Sequence, residues 1–169
     1  MPTTLPELPW IAAARADIGR KEIPGGKHNP WIVGLWPAIG VTWFDTDEVP
    51  WCAGAVNYWL KKGGRPPLKP AVAARALAFK DYGIKLSAPA YGCIVVFSRD
   101  GGGHVGFVVG IDQQGNLMVL GGNQGNMVKI SPFSRDRVVA YRWPSIYPDA
   151  GRFKLPLLTS DGKLSTNEA

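Results

Sequence analysis

Residues 93–121, CIVVFSRDGGGHVGFVVGIDQQGNLMVLG, decide the fold. Cys93–Ser98, His104–Ile111 and Asn116–Gly121 are short runs rich in β-branched and aromatic residues. Clusters of Gly, Asp and Gln separate them, which marks strands joined by tight turns. Asn126–Ser131 and Val138–Trp143 continue the pattern. Connections this short join antiparallel neighbours, so the second half predicts an antiparallel meander of about five strands.

Upstream the period changes. Trp10–Gly19 is Ala-rich, carries apolar residues at helical spacing and ends on a glycine. Asn29-Pro30 reads as an N-cap followed by proline at the first helical position, opening a short helix to about Pro37. WCAGAVNYWL, residues 51–60, runs on to Lys61-Lys62-Gly63-Gly64, with Asp47 and Glu48 ahead of Pro50. Acids before a helix, lysines in its last turn and glycines beyond it agree with the helix dipole. Pro66, Pro67 and Pro70 form a stiff linker into a weaker helical stretch, 71–79. Helices first and strands after predict an α+β domain, N-terminal helices packed on an antiparallel sheet. Residues 1–150 read as one domain, and 151–169, with little periodicity, as a mobile tail.

Composition narrows the function classes. The chain has 169 residues, 46% hydrophobic and 19% charged, enough to build a core. No apolar run approaches the roughly 20 residues of a membrane span, so stable membrane insertion is not expected. The opening MPTTLPE lacks a basic stretch followed by an apolar one. The expectation is a chain without a signal peptide, made in the cytoplasm and released by another system. A net charge of +6 suits polyanionic surroundings. Yet the basic residues are dispersed, with no run longer than Lys61-Lys62, which argues against nucleic acid as a partner. Most of the seven tryptophans read as core. Gly101–Gly106 fits G-x-G-x-x-G but precedes a strand instead of opening a helix, so no dinucleotide site follows. Two cysteines and two histidines without ligand spacing predict neither a metal nor another cofactor. A monomer is expected.

Three residues could do chemistry together. Cys52 falls in the first turn of a helix, where unpaired N–H groups and the dipole would depress a thiol pKa and stabilise an oxyanion. It also shares a helix face with Val56 and Trp59, which suits a core residue. His104 opens a strand after three glycines, and Gly106 beside it leaves room for a ligand. A four-residue loop, Asp112–Gly115, would pair Ile111 with Asn116, Val109 with Met118 and Phe107 with Leu120. The same register sets His104 opposite Asn123 and Gly106 opposite Gly121. Asn123 would then accept from one imidazole nitrogen and aim the other outward. The plainer readings are a solvated histidine and a turn asparagine. Asp47 reads as a helix cap or as a contact for a substrate ammonium, and His28 as a solvated or capping residue.

Pro50-Trp51-Cys52-Ala53, Gly92–Phe97, Gly103–Gly110 and Gly121–Gln124 resemble the CHAP/NlpC group of papain-like peptidoglycan amidases and endopeptidases, over roughly residues 10–143. The resemblance implies a papain-like fold, with Cys52 as nucleophile, His104 as base and Asn123 as the third polar residue. It implies substrate contacts from Trp51, Gly106, Gln124 and Asp47, no cofactor, and bacterial peptidoglycan as partner. It is similar to the small single-domain forms found among phage lysins and bacterial wall-degrading proteins, which implies an endolysin; an antibacterial effector, a silent wall-binding or phage structural module and a lysozyme-type glycosidase are the alternatives. Two positions depart from the pattern. Cys93 stands where many members have Asp, which raises either a second thiol near the site or a Cys52–Cys93 disulfide. Gly121 stands where many are acidic, which leaves Asn123 alone to orient His104.

Overall fold

A computed structural model describes residues 5–165. Three helices come first: α1 (Pro9–Ala16), α2 (Pro30–Ala38) and α3 (Cys52–Lys62). Six strands follow: β1 (Ile84–Leu86), β2 (Ile94–Arg99), β3 (Gly102–Ile111), β4 (Leu117–Gly121), β5 (Lys129–Phe133) and β6 (Val138–Trp143). They form one sheet in the order β1-β6-β2-β3-β4-β5, with every neighbouring pair antiparallel. The α+β class is therefore as expected, with six strands where about five were read.

The helix ends follow from local chemistry. Asn29 caps α2, its side chain accepting from the Trp31 N–H at 2.8 Å, with Pro30 in the first position. Lys61 and Lys62 occupy the last turn of α3, where cations suit the dipole. Its start differs from expectation. Pro50 lies outside the helix, and neither Asp47 nor Glu48 caps it. The stretch 71–79 is also not an α-helix but two 3-10 turns, Pro70–Val72 and Ala76–Asp81.

The helices cover one face of the sheet. Trp59 of α3 meets Phe107 of β3 at 6.2 Å between ring centroids, and Trp10, Ile11, Leu35, Trp36, Val56 and Leu60 fill the layer between. Gly63, just past α3, lets α1 approach closely: a Cβ there would lie 2.7 Å from the Trp10 backbone nitrogen. Five of the tryptophans (Trp10, Trp36, Trp51, Trp59 and Trp143) are buried, in keeping with a core role. Three of these satisfy their indole N–H: Trp10 on Gly92 O, Trp51 on Glu22 and Trp59 on Asp17.

The sheet is not a simple meander. β6 returns across the sheet to lie between β1 and β2, because β2 is apolar and buried through Phe97 and needs a partner on both edges. The β3–β4 hairpin keeps the expected register at Phe107–Leu120, but it shifts by one between Val108 and Gly110, so Ile111 pairs with Leu117 instead of Asn116. Asp112 explains the longer loop. Its carboxylate accepts from the Gln114 and Asn116 N–H groups and from the Asn116 side chain, closing a five-residue turn. The segment read as a mobile tail packs over its described part. Leu157 bridges Ile111, and the Leu158 N–H donates to Ile111 O at 2.7 Å.

Candidate active site

Cys52 is the first residue of α3 and only 3% exposed. The backbone N–H groups of Cys52 itself, Ala53 and Val105 lie near its sulfur and favour the charged form. The first two belong to the open helix start. The third belongs to the residue after His104, so the sulfur lies against the strand at that point. The depressed thiol pKa expected for a helix start is not what the structure yields. Burial pushes the Cys52 thiol up, and the three amides and the Arg99 charge only partly offset it.

His104 is fully buried near the start of β3. Its ring lies almost parallel to Phe133, 6° between planes and 5.3 Å between centroids, and stacks on Phe97 at 6.2 Å. Arg137 lies over both phenylalanine rings. His104 Nε2 is 3.0 Å from Gln124 Oε1. The Gln124 amide can point only one way. Its NH2 donates to Val119 O at 3.1 Å and Lys129 O at 2.8 Å, and a flipped amide would set its oxygen against two carbonyls. Oε1 therefore faces the ring, Nε2 carries the proton, and Nδ1 is a bare lone pair. Nδ1 is buried and has no hydrogen-bond partner.

Gln124, expected to face substrate, thus holds the imidazole in the place assigned to Asn123. The β3–β4 ladder ends near Gly121, and the chain turns with positive φ at Asn123, Gly125 and Asn126. Strand pairing therefore does not deliver Asn123, whose side chain is buried in the turn, onto the ring. The next residue reaches back with a longer arm. Gly121 clears its path: a Cβ there would lie 2.4 Å from Gln124 Oε1 and 3.6 Å from Gly106 Cα. The expected closeness of Gly106 and Gly121 holds, but the space between them is taken by Gln124. The cue lay in Gly121 itself, since a residue without a side chain next to the ring leaves room for a neighbour's.

Trp51, Gly106 and Asp47 also have other places than the expected substrate contacts. Trp51 is fully buried, edge-on to Trp31. Gly106 is buried, with a Cβ position 2.6 Å from Val119 Cγ1. Asp47 is 1% exposed and ties the loop before α3 to the loop before α2. It accepts from the Ile23 and Asn29 N–H groups at 3.0 and 2.9 Å and meets His28 Nδ1 at 3.0 Å. Those bonds hold its carboxyl below the usual range against the opposing effect of burial. Cys52 and Cys93 are free, so the considered disulfide is absent, and burial pushes the Cys93 thiol up to about 12. No group of three metal-ligating side chains occurs among the described residues.

Cys52 opens onto a cleft of about 500 Å³ walled by Pro50, Leu77, Arg75, Arg99 and the glycine run 101–103. At neutral pH both reactive groups are uncharged. Burial, with Arg137 and Arg99 nearby, pushes the His104 pKa down to about 4, although the Gln124 bond works the other way. That shift has a sign. The unfolded chain takes up the proton near pH 6.5 and the folded one only near 4, so stability is full above 6.5 and is lost as pH falls between them. At about 1.4 kcal/mol per unit the loss is about 3 kcal/mol. Urea unfolding at pH 7 and pH 4 is expected to show this decrement, reduced in His104→Gln.

Residues 44–123 match the CHAP domain family, a papain-like amidase and peptidase domain, and the fold agrees with it. The match implies a cysteine-dependent hydrolase with peptidoglycan as substrate. It contains Cys52, His104 and Asn123 and stops one residue short of Gln124. No curated protein matches the chain. No helix among the described residues is long and apolar enough to cross a membrane.

Proposed function

We propose that this domain cleaves an amide bond of peptidoglycan by covalent catalysis at Cys52, with His104 as base and Gln124 as its positioning residue. The observation that carries the reading is the Gln124 amide, whose only workable orientation leaves His104 Nδ1 unprotonated beside the strand that touches the Cys52 sulfur.

The free enzyme begins as neutral thiol and neutral imidazole. As the sulfur attacks the substrate carbonyl, its proton passes to Nδ1, and the resulting imidazolium is stabilised by Gln124 Oε1 accepting from Nε2–H. The carbonyl oxygen becomes an oxyanion facing the Cys52 and Ala53 N–H groups at the start of α3. His104 returns the proton to the leaving nitrogen, the C–N bond breaks and a thioester remains. Water then attacks the thioester with His104 as base, and the thiol is regenerated. The aromatic stack fixes the ring plane, so little reorganisation accompanies each transfer.

The biological setting we propose is a phage endolysin, in which the +6 charge draws the enzyme to the anionic wall once another system has released it. Mass spectrometry of digested, purified peptidoglycan tests the reaction class. New amino groups are expected. New reducing ends without new amines would identify a glycosidase, and no products at all would identify a silent wall-binding module.

A further inference from the structure

The cleft beside Cys52 carries two arginines that the proposed chemistry does not use. Arg75 is exposed, and neither it nor Arg99 has an ion-pair partner among the described residues. Arg99 is half-buried and anchored through Nε to Gly103 O at 3.1 Å, which leaves its terminal nitrogens for a ligand. Asp100, in the same turn, does not line the cleft and pairs with neither arginine. The rest of the lining is small or apolar: Pro50, Ala74, Ala76 and Leu77, with a glycine run in which a Cβ at Gly101 or Gly102 would meet nothing within 4 Å. Two guanidinium groups lining one cleft together with a nucleophile offer the planar, bidentate contacts that hold a carboxylate.

We infer that Arg75 and Arg99 form a carboxylate clamp, which selects a stem peptide carrying a free carboxylate close to the scissile amide. This rests on the hydrolase reading, because it supposes that the substrate amide lies at Cys52. The clamp predicts discrimination between a stem carboxylate and its carboxamide, which keeps the shape but loses the charge. One charge-assisted contact corresponds to about tenfold in affinity.

The test compares stem-peptide fragments carrying the free carboxylate with matching carboxamides. In kcat/KM the wild type is expected to favour the carboxylate by about tenfold or more, and Arg75→Gln and Arg99→Gln are each expected to bring the ratio towards one. Any influence of Arg99 on the thiol cancels in that ratio. The same fragments are titrated calorimetrically into Cys52→Ala, which reads the clamp without turnover. The carboxylate form is expected to bind more tightly, and adding Arg75→Gln to remove the difference. Equal affinity of Cys52→Ala for the two forms overturns the clamp. A carboxylate preference in binding, with neither fragment cut by the wild type, supports the clamp and overturns the hydrolase reading.

Discussion

Cys52→Ala is expected to lower the rate of amine release from purified peptidoglycan by at least about a thousandfold, because the step that forms the thioester is lost with the sulfur. The fold should survive. The substitution removes one buried atom and leaves a small cavity at the start of α3, with an expected cost of about 1 kcal/mol. The measurement is the initial rate of new amino groups, taken alongside urea unfolding of the same preparation. A variant that stays folded and retains the wild-type rate would exclude thiol catalysis. Cys93→Ala is the matched control. Its thiol is buried at the edge of β2, with a pKa pushed up to about 12, and its removal should leave the rate within about twofold.

The second large effect is expected at Gln124. Gln124→Met keeps the volume but removes the acceptor for His104 Nε2–H and both donors to the Val119 and Lys129 carbonyls. Two buried hydrogen bonds and one part-buried one would be lost, at an expected cost of about 2–4 kcal/mol of stability. The ring would also lose the bond that fixes its tautomer, and kcat is expected to fall about a hundredfold or more. Gln124→Glu separates the two effects. Its carboxylate still accepts from Nε2–H, so the variant should recover much of kcat while remaining less stable, since an oxygen now faces two carbonyls. If kcat is unchanged in Gln124→Met at a temperature where the protein is folded, Gln124 does not position the base.

Much of this architecture is legible in local patterns. The β-branched runs between Gly-rich turns mark β2, β3 and β4, and Asn29-Pro30 marks the start of α2. What escapes is long-range. The return of β6 to the far edge of β2 depends on which strand edge stays unpaired, and no local pattern records that. The 3-10 turns at 70–72 and 76–81 stand where apolar spacing suggests a helix, in a stretch that follows three prolines.

The candidate site divides in the same way. Cys52 and His104 are found from their positions at a helix start and a strand start. The exchange of Asn123 for Gln124 turns on how the chain leaves β4, where positive φ at Asn123 sends the backbone into a turn and the ladder register no longer applies. The thiol pKa is misjudged because a helix start raises acidity only when burial does not outweigh it. Trp51 sits beside Cys52 in the chain, yet it faces the core, where its indole bonds to Glu22.

The claim on which the rest depends is that His104 holds its proton on Nε2 and offers Nδ1 as a bare base. The chain has two histidines, so nitrogen NMR of histidine-labelled protein, assigned with a His28→Gln variant, reads the ring directly. The prediction is a neutral imidazole with Nε2 protonated and Nδ1 unprotonated, unchanged from neutral pH down to near pH 4. A proton on Nδ1, or a ring that titrates near 6.5, would contradict it.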